Sequence, residues 1–163
     1  MKISLQSLKQ GIAEFNEKVE PDFLDETYQP FYPEILRVHA RVDKFDRDYR
    51  VDITLRTIGH FTCDRCLEDY SREITLTAEH IFRVIPAEGD DDEIIEIPAD
   101  ATEIDLTPFL EELLILEHPI KMLCKEDCKG LCPGCGVNLN HESCRCSDDD
   151  IDPRWEELRK LIK

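Results

Sequence analysis

Eight cysteines in four close pairs, Cys63/Cys66, Cys124/Cys128, Cys132/Cys135 and Cys144/Cys146, constrain this 163-residue chain more than any other feature. Their number suits two tetrahedral sites of four thiolates each. Zinc takes four soft ligands at about 2.3 Å per sulfur, and a two-residue spacer lets one tight turn supply two of them. The most specific pair lies in Cys132-Pro133-Gly134-Cys135-Gly136. Proline stiffens that turn, and glycine after the second cysteine permits a positive φ, so that backbone amides can face the sulfurs.

Other uses of the sulfurs fit the chain less well. Disulfides belong to oxidising compartments, and the opening MKISLQSLKQGIAEFNEKVEP carries no apolar leader, so the expected location is the cytoplasm. A redox pair at Cys63-x-x-Cys66 or Cys132-x-x-Cys135 calls for a βαβ context that the flanks do not suggest. An iron–sulfur cluster also takes four cysteines, and spacing alone does not distinguish it. Two structural zinc ions per chain are the expected cofactors. The grouping stays open: either Cys63, Cys66, Cys124 and Cys128 share one ion and Cys132, Cys135, Cys144 and Cys146 the other, or Cys124 to Cys135 close locally and Cys144 and Cys146 join the first pair. Each scheme has one local and one long-range loop, so closure entropy does not choose. His118 and His141 read as surface histidines, since eight cysteines fill two shells.

The strand signals are clear. Leu36, Val38, Ala40 and Val42 alternate with Arg37, His39, Arg41 and Asp43, as in a half-buried strand. After a turn at Asp46–Asp48, Tyr49, Val51, Ile53 and Leu55 repeat the pattern, and Ile74 to Val84 supply a third strand. Cys63 and Cys66 then sit at a hairpin tip. Thr107 as N-cap and Pro108 open a helix over 107–118, with Leu110, Leu113, Leu114 and Leu116 along its stripe and Glu111 and Glu112 in its first turn. Leu5, Leu8 and Ile12 suit a short N-terminal helix, with a strand after it. Ile94–Ile97 form a short strand behind an acidic loop, and Trp155 to Ile162 edge a tail helix. The expected fold is α+β: a mainly antiparallel β-sheet with a packed helix and a C-terminal cysteine-rich zinc-binding module. Its expected parts are 1–118, with the Cys63/Cys66 knuckle; 119–147, the zinc module; and 148–163, the tail.

A net charge of −17 argues against indiscriminate nucleic-acid binding, because phosphate contacts need Lys and Arg. Local cationic positions remain: Arg37, Arg41, Arg50 and Arg56 on the outward side of two strands, and Lys121, Lys125 and Lys129 among the cysteines. They read either as RNA contacts or as solvated charges paired with Asp43 and Asp52; no aromatic stacking cluster accompanies them. Residues 86–118 hold twelve acids and no Lys or Arg, a face that would suit a basic protein partner in an adaptor without RNA contact. The chain has no phosphate loop, no His-Glu-x-x-His and no nucleophile elbow, and four-thiolate sites are closed to substrate, so the expectation is a protein without catalytic residues.

The segments CDRCLE at 63–68, LCKEDCKGLCPGCGVNLN at 123–140, Cys144-x-Cys146 and the closing IDPRWEELRKL resemble the YceD-like family of bacteria and plastids. The resemblance implies a role in accumulation of large-subunit ribosomal RNA, hence a partner that is that RNA or a ribosomal or RNA-processing protein. It further implies that Cys63 and Cys66 form the shared knuckle, and that the other six cysteines form an extended block present in many members.

Overall fold

The computed structural model describes residues 1–85 and 94–146. The acidic loop expected at 88–93 and the tail helix expected at 154–163 lie outside the described residues. The chain divides into two compact units, 1–61 with 71–120, and 62–70 with 121–163.

The first unit is built on a five-stranded sheet in the order β2-β3-β4-β5-β6. Its strands are β2 (Gly11–Val19), β3 (Leu36–Phe45), β4 (Asp48–Thr62), β5 (Asp69–Ile85) and β6 (Ile94–Pro98). A separate two-stranded ladder pairs β1 (Lys2–Ser4) with β7 (Glu103–Asp105). The alternation on β3 and β4 decides their register. Val38 lies opposite Leu55, Ala40 opposite Ile53 and Val42 opposite Val51, all essentially solvent-free. The opposite face carries Arg37, Arg41, Arg50 and Arg56, all exposed. One residue of slippage would expose the whole apolar set, so the pattern itself enforces the pairing.

Helix α1 (Thr107–Leu116) buries Leu110, Leu113 and Leu114, while Leu116 is exposed. Phe109 packs edge-on to Phe82 at 5.3 Å and 4.6 Å from the His80 ring. Two details of the expected helix are corrected. Thr107 is the first helical residue and not the cap: its amide donates to Asp105 Oδ1 (2.9 Å), and its hydroxyl accepts from the Met1 amino group (2.8 Å). Glu111 and Glu112 consequently fall beyond the first turn, where the helix dipole gives them little; Glu111 accepts instead from the Asp25 amide.

The N-terminal helix is also corrected. Only one 3₁₀ turn, Leu5–Ser7, forms, and Ile12 lies in β2 opposite Asp43. Spacings of three and four suit a helix, but the free edge of β3 offers a nine-residue ladder to this segment, and pairing outweighs a weak helical preference. At the other edge, β6 runs parallel to β5, with Ile81 opposite Ile94. Period-two alternation carries no information on direction, so the sequence reading could not anticipate a mixed edge.

His118 is half-buried, not fully exposed. It sits among Tyr28, Phe31, Tyr32 and Phe61, with its Nδ1 3.0 Å from the Tyr32 hydroxyl. Burial holds both His118 and His80 below the ordinary imidazole range. The unfolded chain therefore takes up protons first as acid is added. Stability of this unit is kept above an unfolded imidazole value near 6.5 and declines as the pH falls below about that value. His80→Phe, which keeps the ring packing, is expected to shrink the stability difference between pH 7 and pH 5 in urea titrations. An unchanged difference would remove His80 from that acid sensitivity.

Candidate metal centres

The second unit has a core made of sulfur. Cys63, Cys66 and Cys128 are buried together, with Tyr70, Leu123 and Cys124 packed around them. Two knuckles share one backbone plan. The Leu67 amide donates to the Cys63 carbonyl and the Gly136 amide to the Cys132 carbonyl, both at 2.9 Å. The Cys63 amide in turn donates to Glu68 O and the Cys132 amide to Val137 O, both at 2.8 Å. The residue after the second cysteine is left-handed in each, at φ 59° for Leu67 and 73° for Gly136. At Gly136 that conformation costs little, whereas at Leu67 a Cβ must be accommodated. A β-branched residue is worse still. Leu67→Ile is expected to weaken metal retention by the first centre about tenfold, in the range of 1–3 kcal/mol for such backbone conflict, while Leu67→Gly retains it. Competition with a chromophoric chelator checks both variants.

The thiols gather as Cys63, Cys66, Cys124 and Cys128, and as Cys132, Cys135, Cys144 and Cys146, each set with its sulfurs within 4.8 Å of one another. This is the first of the two groupings that spacing left open. It depends on the β4–β5 tip holding the 121–128 segment: the Asp64 amide donates to Met122 O (2.8 Å), and the Met122 amide donates to Asp64 Oδ2 (2.7 Å). Arg65 adds bonds to the carbonyls of Glu126 and Cys128.

Sulfur separations test whether a metal fits. A regular tetrahedron with metal–sulfur bonds of about 2.3 Å has edges of about 3.8 Å. Cys63 and Cys128 lie 3.8 Å apart, Cys66 and Cys124 3.7 Å, Cys132 and Cys146 3.6 Å, and Cys132 and Cys144 3.4 Å. Disulfide sulfurs would lie about 2.05 Å apart, and all eight cysteines are free. Both clusters can therefore hold a metal ion.

Electrostatics favour a cation at each centre. At Cys63 burial raises the thiol, but amide donors from Cys124, Cys66 and Arg65 outweigh it and hold the group at about 6. At Cys66 the Glu68 amide lowers it, while burial and the neighbouring sulfurs push it up to about 12. In the second cluster, the amides of Arg145 and Val137 bring Cys135 to about 6, and the surrounding sulfurs, Cys132 foremost, take Cys146 to about 12. Four crowded sulfurs cannot all ionise unaided; a dication would remove that repulsion.

The clusters differ in exposure. Cys63, Cys66 and Cys128 are buried and Cys124 half-buried, whereas Cys135, Cys144 and Cys146 are exposed and only Cys132 is buried. Gly134 is needed for close approach: a Cβ there would stand 2.5 Å from Cys146 Sγ. Gly134→Ala is expected to weaken the second centre by about 5- to 150-fold, the usual 1–3 kcal/mol of overpacking, and to spare the first. Titration with a graded series of chelators separates the two ions.

Asn140 was missed by sequence reasoning. Its Nδ2 lies 3.3 Å from Cys128 Sγ, and its Oδ1 accepts from the Lys129 amide at 3.0 Å. No spacing rule pointed to it, because the contact exists only after the loop has closed. His141 joins neither cluster; its Nε2 lies 2.9 Å from Glu68 Oε1.

The proposed cationic contacts separate into distinct groups. Arg41 pairs with Asp52, and Arg50 pairs with Asp52 and Glu79. Arg37 and Arg56 face each other across β3 and β4. Lys121, Lys125 and Lys129 are exposed within the second unit. No helix among the described residues is long and apolar enough to cross a membrane.

Comparison with known proteins places this geometry in context. A family model described as "Large ribosomal RNA subunit accumulation protein YceD" matches residues 51–162, a span that contains both cysteine clusters. A chloroplastic Arabidopsis thaliana protein named large ribosomal RNA subunit accumulation protein YCED homolog 1 is 28% identical over 160 residues, covering 80% of this chain and 50% of its own. The uncharacterized protein YlbN of Bacillus subtilis is 29% identical, over 78% of this chain and 74% of its own. An uncharacterized Mycobacterium tuberculosis protein is 33% identical, over 78% and 62% respectively. This chain thus spans half the length of the Arabidopsis relative. No solved structure gives a significant match.

Proposed function

The chain belongs to the YceD family, and we propose that it acts as a non-enzymatic accessory factor supporting accumulation or processing of large-subunit ribosomal RNA. The observation that carries this reading is the family match, which spans both thiolate centres and agrees with the name of the Arabidopsis relative. In this reading two zinc ions hold the second unit in shape. Sulfur spacings near a tetrahedral edge support zinc over a multinuclear cluster, whose cysteines must reach separate irons. Four protein ligands at each ion would leave no position for a substrate, which supports a scaffold over a catalyst. The factor works where ribosomes are built, the cytoplasm in a bacterial cell and the plastid for the Arabidopsis relative, whose name is chloroplastic. Its partner is large-subunit RNA or a protein that binds or processes it.

Deletion of the gene is expected to lower mature large-subunit RNA and free large subunits in sucrose gradients, with small-subunit RNA spared. Unchanged large-subunit RNA would refute the role. Elemental analysis of the purified chain is expected to give two zinc ions with eight protected sulfurs.

A further inference from the structure

The outer face of the five-stranded sheet carries an arrangement that folding alone does not favour. Lys18 lies directly opposite Arg37, and Arg37 directly opposite Arg56, so three cations form one row across β2, β3 and β4. Adjacent strands lie about 4.8 Å apart, which puts the row within about 10 Å. Like charges placed directly opposite destabilise a sheet. Elsewhere on this face the cost is relieved: Arg41 and Arg50 have Asp52, and Arg50 also has Glu79 at 2.7 Å. Among the described residues Lys18, Arg37 and Arg56 have no such partner. Glu17, Glu34 and Glu73 border the same groove without making an ion pair to any of the three.

The surroundings narrow the missing partner. The row lines a groove of about 1010 Å³ that also takes in Asn16, His39, Thr54 and Thr75. Ile35 and Ile58 are 44% and 39% exposed beside it, large apolar groups left in water. A row of cations with hydrogen-bonding and apolar positions alongside complements a polyanion that also has flat apolar faces to bury. The geometry points to a single-stranded RNA site on this face, with consecutive phosphates on Lys18, Arg37 and Arg56 and unstacked bases over Ile35 and Ile58. This assignment deepens the proposed role in ribosomal RNA accumulation and rests on it. It also revises the candidate contacts: Lys18 joins Arg37 and Arg56, while Arg41 and Arg50 are engaged within the protein. Without an aromatic stacking platform, the phosphates supply most of the affinity and sequence preference is weak.

The test uses the full chain, its two centres loaded with zinc, and a fluorescein-labelled single-stranded RNA 20-mer followed by anisotropy. The Lys18→Gln/Arg37→Gln/Arg56→Gln variant is expected to bind at least tenfold more weakly at low salt. Its slope of log affinity against log salt should fall by about 2, from three contacts at roughly 0.7 each. An Arg41→Gln/Arg50→Gln variant should lose less than threefold. The triple variant should melt no lower than the parent, since removing like charges relieves repulsion. The assignment is overturned if the parent does not bind the 20-mer, if the two variants lose affinity equally, if a duplex binds more tightly than the single strand, or if an acidic peptide competes as well as RNA. These outcomes are separable from failure of the broader role. A deletion strain with normal large-subunit RNA refutes the role even if the 20-mer binds. A deletion strain with depleted large-subunit RNA, fully rescued by the triple variant, refutes the site alone.

Discussion

Replacing Cys63 by serine is expected to remove one metal ion and to unfold residues 62–70 together with 121–129, the segments that supply the first centre. Cys63 is fully buried, clustered among the described residues with Cys66 and Cys128, and Tyr70, Leu123 and Cys124 pack against that cluster. Among the described residues of this unit, the buried side chains are those of cysteines, so the ligands themselves hold it. Structural four-ligand zinc sites contribute apparent binding energies of about 10–16 kcal/mol at neutral pH, and in such units binding energy is folding energy. Loss of one thiolate should lower retention of the first ion at least a thousandfold, about 4 kcal/mol. Elemental analysis should read one zinc, and hydrogen exchange should lose protection over both segments. Cys135→Ser is the contrasting variant. Its sulfur is exposed, so loss should be confined to the second ion and to protection of residues 130–146. Two retained ions in Cys63→Ser, with 62–70 still protected, would overthrow the ligand assignment.

Leu114→Ala is expected to cost the first unit about 3 kcal/mol, within the 2–5 kcal/mol range for truncating a fully buried leucine. Leu114 is at 0% exposure on α1. Alanine keeps the helix, so the loss isolates packing from helix propensity. A loss of this size should lower the melting temperature by on the order of 10 °C. Zinc content should stay at two ions, because every candidate ligand belongs to the other unit. Loss of metal in step with the melting shift would show that the two units do not fold on separate grounds. The reciprocal experiment is chelation, which should leave hydrogen exchange over β3 and β4 protected, since their apolar faces form a core without any metal.

Much of this was legible in the residues. Alternation located β3, β4 and β5, because a half-buried strand must write its two faces into successive positions. Thr107-Pro108 marked the helix start to within one residue, although the N-cap proved to be Leu106, with Thr107 the first helical residue. Gly136 was read as a positive-φ position from its place after Cys135, and it has that conformation. Its counterpart Leu67 could not be read that way, since nothing in a leucine signals a left-handed backbone.

What the sequence determined by itself were the local quantities: which strands alternate, where the helix begins, and which sulfurs share a tight turn. These depend on neighbours a few residues apart, and covalent spacing controls them. Tertiary structure alone decided which distant pairs meet: Cys63 and Cys66 with Cys124 and Cys128, Ile12 in a strand on the edge of β3, β6 parallel to β5, and Lys18 in line with Arg37 and Arg56. The physical reason is that closure entropy varies only weakly with loop length, so chain separation ranks such partners poorly. Ladder hydrogen bonds, the Asp64–Met122 clasp and burial make the choice, and they exist only once the chain has folded.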